Sequence, residues 1–310
     1  LPDRRLPMLP TILSDILCSL QENCSRFALA LDIYVNSDHT IEQYKLVNTV
    51  INVSKNLRYD TVEMEDYPLY KRAQTIIYEL NEKTSYVGST KSCHDLIAYM
   101  MIMMNHICAG LLFENGTGIY RSMTYGETVL PTTVEDSDTR NFLKGWHGTG
   151  GNYNNIQNMG VHDALNLDKY IHITSPIRRL VDLLNMIQIQ DIGLSADALA
   201  FYTEWTTDDN IKFINETMRS IRKLQNDCSL LHSLVTTPDI ISKIHRGFAF
   251  DKTQRDDGSF CLQVYMSEIR IVRKVISLVD VDVNCYYDFR LYLFTDEELM
   301  YQKVRASLVL

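Results

Sequence analysis

The residues best equipped for chemistry lie between Tyr170 and Asp182, where the sequence reads Y-I-H-I-T-S-P-I-R-R-L-V-D. Thr174-Ser175-Pro176 predicts a helix start, because serine is a good N-cap and proline at the first helical position gives up no needed N–H. Ile177, Leu180, Val181, Leu184 and Ile187 recur at helical spacing and predict a core-facing stripe on a helix over 176–190. Arg178, Arg179, Asp182 and Asn185 fall off that stripe. Two arginines in a first helical turn oppose the macrodipole, at about 0.3–1 kcal/mol each. Such a placement is tolerated where an anion occupies the site, since a helix N-terminus and a guanidinium fork together clamp phosphate. Spacing leaves two arrangements open. Arg178 can pair with Asp182 four residues on as an ordinary helix salt bridge, or Asp182 can hold Arg179 while Arg178 faces a substrate.

These residues need a frame. Prolines at 2, 7 and 10 predict an irregular opening until Thr11 or Ser14 caps a short helix. Alternation over 27–35 and 40–53, with Asn-Ser-Asp-His between them, predicts a hairpin. Helical periods follow over 69–80 and 93–113, the second apolar all round and therefore buried. Residues 116–125 read as short and extended, and four glycines in 145–151 read as a mobile loop. Helices are expected over 196–204 and 209–235. Beyond Pro238, short alternating runs at 245–250, 260–265, 269–277, 286–294 and 302–309 predict five strands, with Asp256-Asp257-Gly258 turning the first hairpin. Five short strands fit a small, partly open barrel of the oligonucleotide-binding type.

Bulk properties narrow the function. With 39 Asp and Glu against 30 Lys and Arg, the net charge of −9 argues against a surface that wraps duplex DNA. A narrow channel lined locally by arginine remains compatible with it. Seven cysteines without a CxxC pair or a tight His/Cys cluster predict neither a disulfide framework nor a zinc site. Reduced thiols in a cytoplasmic protein are the expectation. The most apolar run, 96–104, is nine residues and too short to span a bilayer, so no membrane partner is expected. A chain opening on Leu1 without methionine is expected to be part of a longer polypeptide.

Taken together, T-S-P-I-R-R with its preceding Tyr170 and His172 and following Asp182 resembles the signature of ribonuclease II/R-type (RNB) exoribonucleases. Arg5-Leu-Pro-Met-Leu-Pro10 with Leu17-Cys-Ser-Leu20 is similar to an early family segment. The helix ending Asn105-His-Ile-Cys-Ala109, then Ile119-Tyr-Arg121 and the stretch Tyr153 to His162, follow in the family's order. The resemblance runs from residue 4 to about 235. It implies an α+β fold, with an RNB domain of mixed sheet and many helices over 1–236 and a small OB-like β-barrel of RNA-binding type over 237–310. It also implies hydrolysis of single-stranded RNA from the 3′ end with Mg²⁺ held by an Asp cluster. Arg178 matches the arginine that contacts phosphate near the scissile bond. Tyr170, His172, Thr174 and Ser175 match the strand and turn positioning it. Arg179 is read as a further RNA contact, and Arg121 either as another or as a member of a surface ion pair.

The metal-binding carboxylates of the family precede the segment at which this chain begins, so no metal ligand is expected within it. Asp208-Asp209, Asp256-Asp257 and Asp280 with Asp282 read as caps and solvated turns, and Asp32 is a lone carboxylate. Ala98-Tyr99 stand where the family carries paired glutamates, and Leu180 and Met186-Ile187 replace polar positions. Asn105 reads as a loop pin, His162 as a packed histidine and the methionines at 100–104 as core filler. Two functions follow: an exoribonuclease when complete, this chain alone being inactive, or an inactive RNB-fold structural, assembly or RNA-binding protein with other subunits as partners. The continuation R-R-L-V-D-L-L-N resembles divergent members encoded by large DNA viruses, which makes a virion association an expectation of the second reading.

Overall fold

The structure, a computed structural model, describes residues 6–125, 130–147, 149–190, 194–237, 239–298 and 301–309. Pro2, Arg5 and Gly148 lie outside them. The chain divides into two compact units, one formed by 6–124 with 151–215 and the other including 125–150 and 216–310.

The first unit opens on a short wide-turned helix, Ile12–Leu17, whose start follows Pro10. Strands β1 (Ser25–Val35) and β2 (Ile41–Asn52) form an antiparallel hairpin with Leu31 opposite Leu46 and Asp32 opposite Lys45. Asp32 is exposed there. Short α1 (Val62–Glu65) and α2 (Pro68–Lys83) precede α3 (Cys93–Glu114), the core helix. Ser92 and Asp95 close a reciprocal capping box on α3, at 3.1 Å in each direction. By length and composition α3 could cross a bilayer. Its side chains instead build two protein clusters, one with Ile77 and Leu80 of α2 and one with Tyr120, Ile171 and Ile173. Strand β3 (Ile119–Thr124) follows.

After α4 (Ser137–His147), β4 (Thr149–Asn155) pairs with β3. The expected mobile loop over 145–151 is thus taken up at both ends by regular structure. Asp136 Oδ1 accepts the Thr139 amide at 2.7 Å, an N-terminal cap whose signal the glycines obscured. Helices α5 (Leu180–Ile189), α6 (Ala196–Trp205) and α7 (Asp208–Thr236) come next. The predicted start at Pro176 is corrected: residues 175–179 form a turn, with Ser175 O accepting the Arg178 and Arg179 amides at 3.2 and 3.1 Å. Arg179, with extended backbone, is the N-cap of α5. Neither arginine therefore lies in the first helical turn.

The second unit is built on a barrel. After α8 (Asp239–Ser242), strands β5 (Ile244–Gln254), β6 (Phe260–Met266), β7 (Ile271–Ser277), β8 (Cys285–Asp296) and β9 (Tyr301–Leu308) close in the order β5-β6-β7-β9-β8. Five strands were expected, in a partly open barrel; the observed one is closed, with β8 returning to β5. Asp257 accepts the Ser259 amide in the first hairpin, where Gly258 takes φ +80°. Leu262, Val264, Val275, Phe289 and Leu291 fill the interior together with Leu230 and Leu234 of α7. Gly247 admits this packing, because a Cβ there would meet Val264 Cγ1 at 2.6 Å. Outside the barrel, Phe142 of α4 stacks on Tyr265 at 4.0 Å between ring centres. The fold is α+β with an OB-like barrel, as the sequence predicts.

Candidate phosphate-binding site

The signature segment 170–173 is extended and bridges β3 between Ile171 and Tyr120. Arg121 donates its amide to Tyr170 O at 2.7 Å. Three asparagine side chains fix the surrounding backbone, where a regular sheet would use neighbouring strands. Asn105 of α3 accepts the Ile173 amide at 3.0 Å and donates to the Tyr170 hydroxyl at 2.9 Å, the pinning role expected of it. Asn185 of α5, fully buried, accepts the Ile119 amide at 2.8 Å and donates to Ile119 O and His172 O, both at 3.0 Å. Asn215 of α7 accepts the Tyr153 amide and donates to Tyr153 O, each at 2.8 Å. A buried backbone group left without a partner is costly, so these amides supply what the missing strands do not.

On this frame stand the arginines. Asp182 is fully buried and holds Arg179, with Oδ1 to Nη2 and Oδ2 to Nε both at 2.8 Å. The same Oδ1 accepts the Ser175 amide at 2.7 Å, which ties the turn to the helix behind it. Of the two arrangements left open by spacing, the structure adopts Asp182 with Arg179. Arg178 is exposed and donates to Ser175 Oγ at 3.3 Å. Arg121 lies over the Tyr153 ring at 4.9 Å, and a Cβ at Gly151 would run into its guanidinium. Tyr153 in turn bonds His172 Nδ1 through its hydroxyl at 2.7 Å.

The electrostatics show the charge gathered here. Burial drives the His172 pKa down to about 3, and the positive fields of Arg179, Arg121, His162 and Arg178 add to the effect. His172 is thus a neutral, hydrogen-bonded ring. Tyr170 is pushed up chiefly by burial, and His162 down by the same cause. His162 packs edge-on against Tyr170 at 5.1 Å, a packed histidine as expected. The Thr174 hydroxyl is buried without a hydrogen-bond partner among the described residues. Of the residues singled out in the sequence, Arg121, Tyr170, His172, Ser175, Arg178 and Arg179 come together. Asn185 stood out only as a polar residue off the apolar stripe and Asn215 not at all, since the Ile119 and Tyr153 backbones they bond lie 66 and 62 positions away.

One pH effect follows. A histidine in an unfolded chain titrates near 6.5, whereas His172 in the fold titrates at about 3. Between those values the unfolded chain carries a proton that the folded chain refuses, so stability falls as pH drops below about 6.5. This group contributes at most ~1.4 kcal/mol per pH unit. In urea denaturation, wild type should lose stability more steeply than His172→Phe between pH 6.5 and 5. Parallel profiles would count against the neutral ring.

The arrangement is suited to oxyanions. Three guanidinium groups sit on a pinned frame, and Asp182 neutralises that of Arg179. Asp182 is not placed to hold Mg²⁺, because its carboxylate is committed to Arg179 and the Ser175 amide. A hard dication needs several free oxygen ligands.

Residues 1–66 match the family model of the RNB domain. The chain is similar to ribonuclease R of Chlamydia pneumoniae, 22% identical over 348 residues, covering 88% of this chain and 50% of that protein. The chain spans half or less of the length of the curated relatives it matches. Among solved structures, Mycoplasma genitalium RNase R in complex with ribose methylated single-stranded RNA superposes with a TM-score of 0.67 at 17% identity, over 98% of this chain and 61% of that one. Yeast Ssd1, a pseudonuclease, superposes with a TM-score of 0.58 at 14% identity, over 89% of this chain and 42% of that one. These structural likenesses establish the fold, and the resemblance to RNB proteins read from the sequence stands.

Proposed function

We propose, from the premise that this chain is an RNB-type relative of ribonuclease R, that it supplies the phosphate-gripping part of a 3′-to-5′ exoribonuclease acting on single-stranded RNA. The carrying observation is the grouping of Arg121, Arg178 and Arg179 around a neutral His172 on backbone pinned by three asparagines. Arg178 is the arginine turned to solvent and is the one assigned to the phosphate near the scissile bond. Arg179, held by Asp182, sets the turn that aims it. Tyr170, His172, Thr174 and Ser175 position the arginines, and Arg121 meets a neighbouring phosphate. Mg²⁺ and the carboxylates that would hold it belong to the complete enzyme, and this chain alone is expected to leave RNA uncut.

Arg178→Ala should weaken binding of labelled single-stranded RNA about tenfold or more by fluorescence anisotropy, because a hydrogen bond to a charged group is worth ~1.5–3 kcal/mol. The salt dependence of the affinity should fall by about 0.7 in log–log slope, the value for one phosphate contact on a single strand. Unchanged affinity and slope would remove Arg178 from the RNA contact.

A second reading, an inactive RNB-fold protein working with other subunits, is favoured by the committed state of Asp182 and by the likeness to a pseudonuclease. The full-length protein separates the two. Mononucleotide release with Mg²⁺ or Mn²⁺ supports the enzyme, and intact RNA under both metals supports the second reading.

A further inference from the structure

Away from the arginines, in the same unit, three side chains of different chemistry converge where α3 begins. Cys93 and His94 are the first two residues of that helix, and Asp60 reaches them from the loop before α1. Cys93 donates its thiol to Asp60 Oδ1 at 3.3 Å, and His94 Nε2 meets Asp60 Oδ2 at 3.0 Å. One ligand atom from each residue lies within 4.8 Å of both others. We propose that Asp60, Cys93 and His94 form a binding site for one zinc-class divalent ion, with water completing the coordination.

Donor type and spacing carry the argument. Thiolate, imidazole and carboxylate are the three side-chain ligands zinc takes, at ~2.3, ~2.0–2.1 and ~2.0–2.2 Å. Tetrahedral ligands at such bond lengths stand roughly 3.3–3.6 Å from one another. Cys93 Sγ lies 3.3 Å from Asp60 Oδ1 and His94 Nε2 lies 3.0 Å from the other oxygen, Oδ2, so rotation of the exposed Asp60 and His94 side chains would bring one ligand atom of each residue to such spacing around an ion. Charge balances as well, since a dication meets one thiolate and one carboxylate.

The two ends of the site differ in stiffness. Cys93 is buried and held by the capped helix, whereas the side chains of His94 and Asp60 are 60% and 70% exposed. That exposure leaves a face open for the fourth ligand. Tyr59 stacks on the His94 ring at 4.4 Å with 7° between planes, which fixes the imidazole beside Asp60. On binding, the Cys93 thiol loses its proton to solvent, and His94 exchanges the Nε2 proton that faces Asp60 for one on Nδ1, which leaves Nε2 to take the metal. No electron changes hands.

The test uses Co²⁺ as a spectroscopic probe and Zn²⁺ in competition with a chromophoric chelator. The chain should bind one equivalent of Co²⁺ and show a thiolate-to-cobalt charge-transfer band, which Zn²⁺ then abolishes. Cys93→Ala should lose the band. His94→Phe, which keeps a ring against Tyr59 and removes the donor nitrogen, should weaken affinity at least tenfold. Should Cys93→Ala prove unfolded by circular dichroism, His94→Phe decides the matter, because its side chain is exposed. No stoichiometric binding by wild type, or binding of equal strength by His94→Phe, overturns the proposal.

Discussion

Replacing Asn185 with leucine should cost about 3–5 kcal/mol of folding stability, measured as the loss in urea-denaturation midpoint at unchanged slope. Leucine fits the volume, and burial of its apolar surface would normally favour the fold. It strands the Ile119 amide, the Ile119 carbonyl and the His172 carbonyl, all of which Asn185 now satisfies at 2.8–3.0 Å. A buried group deprived of its partner carries a desolvation penalty of ~1–3 kcal/mol, and three such groups exceed anything the methyls return. Asn185→Asp keeps the acceptor for Ile119 N–H but sets a buried carboxylate against the two carbonyl oxygens, so at neutral pH it should cost at least as much as leucine. A loss below about 1 kcal/mol for leucine would mean that water replaces the side chain.

Asp182→Ala should be comparably damaging, at about 3–5 kcal/mol, because it leaves the Arg179 guanidinium without its anion and the Ser175 amide without its acceptor. The pair as a whole is another matter. Removing both charges, as in Asp182→Leu with Arg179→Met, should recover most of that loss, since a buried ion pair is often no more stabilising than apolar residues of similar size. A double variant as unstable as Asp182→Ala alone would locate the effect in the cap on Ser175 rather than in the uncompensated charge.

Much of the fold was legible because it depends on local period. The five barrel strands alternate plainly, and α3 announces itself by an apolar run behind Ser92 and Asp95. The start of α5 was misplaced for a physical reason. Ser175-Pro176 carries the side chains of a helix start, but the chain there makes a separate turn. Asp182, seven residues on, does the tethering by reaching back to the Ser175 amide. Sequence spacing could propose Asp182 with Arg178 or with Arg179 and could not choose, because the choice rests on that turn. The clamps made by Asn185 and Asn215 were illegible for another reason. An amide bonding backbone more than sixty positions away leaves no period to detect. The same holds for the contact of Asp60 with Cys93, 33 positions away.

The discontinuity of the barrel unit has a consequence for synthesis. Its chain arrives in two instalments, 125–150 and then 216–310, with 151–215 belonging to the other unit. Phe142 leaves the ribosome long before Phe250 and Tyr265, the aromatic residues it packs against. At ~5–20 residues per second, roughly a hundred residues of delay leave α4 waiting about 5–20 s for its partners. During that interval its apolar side chains are on offer to any nascent neighbour. The barrel unit therefore matures only after 151–215 has emerged, and the interval before its strands follow is when a chaperone has most to protect.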